Sequence, residues 1–107
     1  MKVETKTDAL LHCFDLWLWM AVTGEKDKDE WPGWKRNGWY LENCFADCPA
    51  CEYMENKKID CNKCIISWPK TECDGAGGLF RRWRWSETKK EKKQLALEIA
   101  ILALEAL

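Results

Sequence analysis

Cys48-Pro-Ala-Cys51 and Cys61-Asn-Lys-Cys64 are two Cys-x-x-Cys pairs with nine residues between them. An x-x spacing lets two sulfurs on one turn face the same ion, so the two pairs can present four thiolates to one tetrahedral metal. Zn2+ is the expected ion, because four thiolates with no other chemistry form a typical structural zinc set, although the same ligands also suit iron. A site closed by four protein ligands keeps no open coordination position, so the expected role is structural and not catalytic. Disulfides and unligated core thiols are the competing readings of the same residues. Cys44 and Cys73 flank the pairs. Cys44 is an alternative member of the first knuckle. Cys73 is an alternative to Cys64, or a partner of Cys44 in a second, weaker site. For both, a small buried hydrophobe is the preferred reading.

The chain has 107 residues, enough for one domain with one modest core. Hydrophobic residues make up 47%, which argues against wholesale disorder. The formal net charge is −1, so no global field draws the chain to nucleic acid or to an anionic membrane, and any such binding needs a local patch. Lys2, Glu4, Lys6 and Asp8 make a mixed-sign start unlike a signal peptide, and the apolar run 16–22 is followed by charged residues 25–30. The expected location is therefore a reducing cytoplasm, where clustered cysteines bind metal more often than they pair. No apolar run approaches the roughly 20 residues that span a bilayer.

The elements that must hold these cysteines are two helices. Residues 8–22 read as the first: Leu10, Cys13, Phe14, Trp17, Met20 and Ala21 follow the helical period, Thr5 to Asp8 fits a capping box with Thr7 or Asp8 as alternative N-caps, and Gly24 suits the C′ position. Its second half is apolar nearly all round, which predicts burial on more than one side. Residues 87–105 read as the second, with Ser86 as N-cap or Thr88 and Glu91 as a capping box. It carries two apolar stripes, Leu95, Ile99, Leu102 and Ala106, and Leu97, Ile101 and Leu104, so it is expected to pack on two neighbours, one of them across an oligomer interface or within the domain. Between the helices, Asn37-Gly38 suggests a hairpin turn leading to a short strand at Trp39-Tyr40-Leu41. The cysteine module occupies residues 44–73, and residues 79–85 read as a strand or an irregular lead into the last helix. The expected fold is a small α+β, metal-stabilised single domain, with a short β-hairpin and zinc-knuckle module between two main helices.

Eight tryptophans in so short a chain cannot all be fully buried. Trp31 and Trp34, around Pro32-Gly33, suggest either a ligand-stacking wall or a cover for the first helix. Arg81-Arg82-Trp83-Arg84-Trp85 is a basic-aromatic run able to stack on bases and pair with phosphates. The same alternation suits an ordinary half-buried strand. These seven residues are the candidate partner surface. His12 is the only histidine, and a lone helical histidine is more often a packed residue than a ligand. With no nucleophile–base pairing at motif spacing, an enzyme is not expected.

His12-x3-Leu16-Trp17-x-Trp19-Met20-Ala21, followed by Lys26-x-Lys28-x-x-Trp31-Pro32-x-Trp34, resembles small zinc-knuckle-type proteins from phages and prophages of Gram-positive bacteria. The resemblance continues through Cys48-Pro-Ala-Cys51-Glu52-Tyr53, Cys61-Asn-Lys-Cys64, Gly78-Leu79-Phe80 to Trp83, and Leu95-Ala96-Leu97-Glu98-Ile99-Ala100, and so spans roughly residues 12–102. Thr23-Gly24 departs from the Asn-Pro expected after the first helix. The resemblance implies a phage origin and a structural metal, and it implies no activity. The expected function is a non-enzymatic binding protein that antagonises or sequesters a host defence component in the infected cell. The alternatives are a nucleic-acid-binding accessory or regulatory protein and a sponge that holds a small nucleotide signal between Trp and Arg side chains. A homo-oligomer through the last helix is a further expectation.

Overall fold

The computed structural model describes residues 5–36, 48–60, 63–69 and 77–107. Helix α1 spans Lys6–Thr23, with Thr5 as its N-cap: the Thr5 hydroxyl accepts the Asp8 N–H at 3.0 Å, which satisfies one of the free donors of the first turn. The helix stops at Gly24, whose φ of 70° is left-handed and whose N–H closes on the Met20 carbonyl. Residues 28–30 make a single 3-10 turn, and α2 is the short Gly33–Arg36 helix. Helix α3 spans Pro49–Asn56, with Cys48 at the N-cap and proline where the missing N–H costs nothing. Helix α4 spans Leu79–Trp85 and α5 spans Lys89–Glu105. The α5 N-cap is Thr88, which accepts the Glu91 N–H at 3.1 Å.

The α1–α5 pair is the frame, with α3 set against α1 and α4 against α5. Ala9, Leu16, Trp17 and Met20 of α1 meet Leu95, Ala96, Ile99 and Ala100 of α5 in one buried cluster. Three alanines on the buried stripe of α5, Ala96, Ala100 and Ala103, let the two backbones approach. A smaller cluster of Leu10, Cys13, Ala50, Ile66 and Ala103 joins the frame to the cysteine segment.

The α+β expectation is overturned. Among the described residues there is no strand, and the fold is helical. The hairpin expected at residues 37–41 lies outside the described residues. Residues 79–85 form a helix because Leu79 and Trp83 are one turn apart and both buried, while Arg81, Arg82, Arg84 and Trp85 point to solvent. Four alternating residues are too few to fix the period, and the pair that decides, Leu79 and Trp83, is spaced i, i+4. Burial of the second half of α1 on several sides is also corrected, since Val22 is 68% and Leu18 37% exposed. In α5 the Leu95 and Ile99 stripe is buried, whereas Leu97, Ile101 and Leu104 are exposed.

Candidate functional site

Two features meet on one side of the frame: a group of thiols and an open cleft. Cys48 and Cys51 sit at the N-cap and in the first turn of α3, so the Cys-x-x-Cys spacing turns both toward α1. Cys13, on the buried stripe of α1, faces them. Its sulfur accepts the Ala50 N–H at 3.2 Å. The Cys48 sulfur is the hub, hydrogen-bonded to both the Cys13 and Cys51 side chains. Those two bonds, Cys13 first, hold Cys48 well below the ordinary thiol range against the opposing effect of burial, and the Lys28 ammonium adds to them. Cys13 moves the other way, well above the ordinary range, because it donates to Cys48, is buried, and lies beside the Cys48 charge. Within the pair, Cys48 therefore gives up its proton more readily than Cys13.

Cys64 is half-buried and packs on the same small apolar cluster as Cys13 and Cys48. Cys13, Cys48, Cys51 and Cys64 are not joined in disulfides. Cys61, Cys44 and Cys73 lie outside the described residues. As the side chains stand, no group of three or more His, Cys, Asp or Glu among the described residues is arranged to hold a metal ion. The donor chemistry nonetheless fits a thiophilic ion, since Cys48 already has a sulfur on either side. Cys13 is the residue that sequence reasoning left out of the site. Its signal was weak: a cysteine on an apolar helical stripe reads as core, and only the tertiary fold brings it to α3.

The cleft has a volume of about 1050 Å³. Its aromatic lining is Trp17, Trp68, Phe80 and Trp83, its cations are Lys26, Lys28, Arg84, Lys89 and Lys92, and its acids are Glu25, Asp27, Asp29 and Glu87. Cys48 and Cys51 form part of the wall. Trp83 is held edge-on to Trp17 at 4.9 Å and to Phe80 at 5.8 Å. The Lys92 ammonium lies 4.6 Å above the Trp83 ring and donates to the Trp83 carbonyl at 2.8 Å. Burial lowers the Lys92 pKa, an effect reinforced by Lys26 and opposed by Asp27 and Glu91. Lys28 sits 4.6 Å above Phe80. The indole N–H groups of Trp68 and Trp83 are buried and have no acceptor, an arrangement costly enough to be rare in a folded protein.

The expected partner surface is divided by the fold. Trp31 and Trp34 are each only 4% exposed and pack edge to face at 5.2 Å, with the Trp34 N–H donated to the Lys28 carbonyl. They are core residues, which corrects the ligand-wall reading. Trp83 is also buried, but it lines the cleft with Arg84. Arg81, Arg82 and Trp85 are exposed on α4, and Trp85 is 69% exposed. His12 is half-buried on α1. Burial lowers its pKa, with Asp15 and then Asp8 pulling the other way. No helix among the described residues is long and apolar enough to cross a membrane. No known protein family, curated protein or solved structure matches the chain.

Proposed function

We propose that the protein is a non-enzymatic, zinc-stabilised binding protein whose cleft sequesters a small aromatic anion, with a nucleotide as the chemical class. The observation that carries this reading is the pair of buried indole N–H donors, Trp68 and Trp83, on a cleft lined by five cations, one of them the buried Lys92, and four acids. A ligand that brought acceptors to those donors would relieve an unmet desolvation cost, and its phosphates would face Lys26, Lys28 and Lys89. The aromatic walls supply stacking area for a base. The host-directed, phage-borne setting and the cytoplasm of an infected cell rest on the sequence resemblance. Zn2+ held by Cys48, Cys51, Cys61 and Cys64 rests on the paired spacing.

Thermal-shift screening against cyclic and linear nucleotides tests the cleft. A ligand at a hundred times its Kd adds about 2.7 kcal/mol of stability, enough for a clear rise in Tm. Trp68→Phe, which keeps an aromatic ring but deletes the donor together with the pyrrole ring, should weaken that ligand at least about tenfold, the loss expected for one hydrogen bond in a dry site. No rise with any nucleotide at millimolar concentration would remove this reading.

The exposed Arg81, Arg82, Arg84 and Trp85 face of α4 favours a second reading, a nucleic-acid contact. It predicts DNA or RNA binding that weakens steeply with salt. The exposed Leu97, Ile101 and Leu104 stripe supports self-association through α5. Light scattering at micromolar concentration distinguishes a dimer from a monomer.

A further inference from the structure

The apolar stripe that α5 leaves exposed, Leu97, Ile101 and Leu104, extends back toward the start of the helix through the exposed Gln94 and Lys90. Positions 90, 94, 97, 101 and 104 alternate steps of four and three, the 3.5-residue repeat of a seam between two helices. We propose that a second copy of the chain occupies this face, its α5 running antiparallel, with the apolar residues at the centre of the contact and the lysine end of each helix beside the glutamate end of the other. The inference deepens the self-association reading and rests on it.

The charges along α5 support this occupant. Lys89, Lys90 and Lys93 lie in its first two turns, at the positive end of the helix dipole, with Glu91 as the one acid among them. Glu105 ends the helix, at the negative end of the dipole, and no basic residue lies in the last turn. Both groups are thus set against the dipole of their own helix, an arrangement that costs stability when the helix stands alone. A face that is basic at one end, apolar in the middle and acidic at the other is complementary to itself across a two-fold axis perpendicular to the helix, the isologous contact of a C2 dimer. Antiparallel pairing brings the lysines to the second copy's Glu105 and opposes the two dipoles. Parallel pairing would set Lys90 against the second copy's Lys90. From Leu97 to Leu104 the stripe itself is uncharged, with the half-buried Glu98 to one side of it. The exposed apolar residues of α1 offer no equivalent face: Leu11, Leu18 and Val22 share their side of the helix with the exposed Asp15, whose carboxylate any contact there would have to desolvate.

Isotope-filtered NMR on an equal mixture of labelled and unlabelled wild-type protein, at millimolar concentration, reads the contact directly. Contacts joining residues 90–94 of one copy to residues 101–105 of the other are expected. Like-numbered contacts, Lys90 to Lys90 and Gln94 to Gln94, or contacts through another face such as Leu11 and Val22, would overturn the inference and leave self-association standing. A monomer at this concentration would overturn both. Charge reversal provides an orthogonal measurement by sedimentation equilibrium. Lys90→Glu should weaken the dimer about fivefold, the upper range for an exposed ion pair, and adding Glu105→Lys should restore it. A double variant no tighter than the single one would contradict the pairing. Ile101 is exposed in the single copy, so Ile101→Asp should fold, yet raise the dimer Kd at least about 30-fold, as a central anchor does. An unchanged Kd would place the contact elsewhere.

Discussion

Along the α1–α5 seam, Leu16, Met20, Ala96 and Ile99 are completely shielded from solvent. Between Cys48 and Pro69, the buried residues among those described are Pro49, Ala50, Met54 and Ile66. The first region has the apolar area to hold itself, with a capped start to each helix and alanines that bring the backbones close. The second has a helix of only 8 residues, too short to persist alone, and a small share of the core. Its sulfurs are what it has in abundance. The contrast separates two kinds of fold information: burial, which is spread along a stripe, and, on the zinc reading, ligation, which would be concentrated in a few atoms.

On the zinc reading proposed above, the largest expected effect is metal removal. Structural zinc contributes apparent binding energies of about 10–16 kcal/mol in small zinc domains, nearly all of it as folding energy. A strong chelator should release amide protection in residues 48–60 and 63–69 while α1 and α5 keep theirs, as read by hydrogen exchange. Simultaneous loss in both regions would show that the frame does not stand without the cysteine segment. The converse test is Leu16→Ala, a cavity in the frame. It should cost about 2–5 kcal/mol and lower the denaturant midpoint of the whole chain. A loss confined to one region would argue that the two unfold separately.

Gly33→Ala is smaller and more local. A Cβ at position 33 would run into the six-membered ring of the Trp31 indole, which is buried and has little room to retreat. The expected cost is about 1–3 kcal/mol, the usual range for overpacking. Lys92→Met is smaller again. The charged hydrogen bond to the Trp83 carbonyl is lost, but that oxygen keeps Ser86 as a donor at 2.7 Å and the methionine preserves the packed stem. A loss of about 1 kcal/mol is expected from urea midpoints. A gain would mean that desolvating the Lys92 charge costs more than its contacts return.

The same contrast explains what was legible in the sequence. Thr5, Gly24 and Thr88 were legible as caps because each acts within one turn of its own position, although Thr7, Asp8 and Ser86 offered the same local chemistry and only the structure chooses among them. Trp31 and Trp34 were ambiguous because an indole suits a core and a binding wall equally, and only the close fit of Gly33 under Trp31 decides for the core. Helix α4 was missed because seven residues carry barely two turns of periodicity. The Cys-x-x-Cys spacing was conspicuous, yet Cys13 was not, since its partner Ala50 is 37 positions away and no local pattern encodes that contact.

The smallest predicted effect probes the seam between the two regions. His12, next to Cys13 on α1, has its pKa lowered by burial despite the pull of Asp15 and Asp8. A base with a lowered folded pKa binds fewer protons folded than unfolded, so its contribution to stability is complete above the unfolded value near 6.5 and is lost as the pH falls through that value toward the folded one. Stability should therefore decline slightly on acidification just below pH 6.5, and His12→Gln should flatten that part of the profile. Asp15→Asn removes the largest opposing charge, so the His12 pKa should drop further and the window widen toward lower pH. NMR titration of the single imidazole reads both variants. An imidazole titrating at or above the ordinary value would mean that Asp15 and Asp8 outweigh burial, and that the α1 face beside the thiols is wetter than the packing around Cys13 implies.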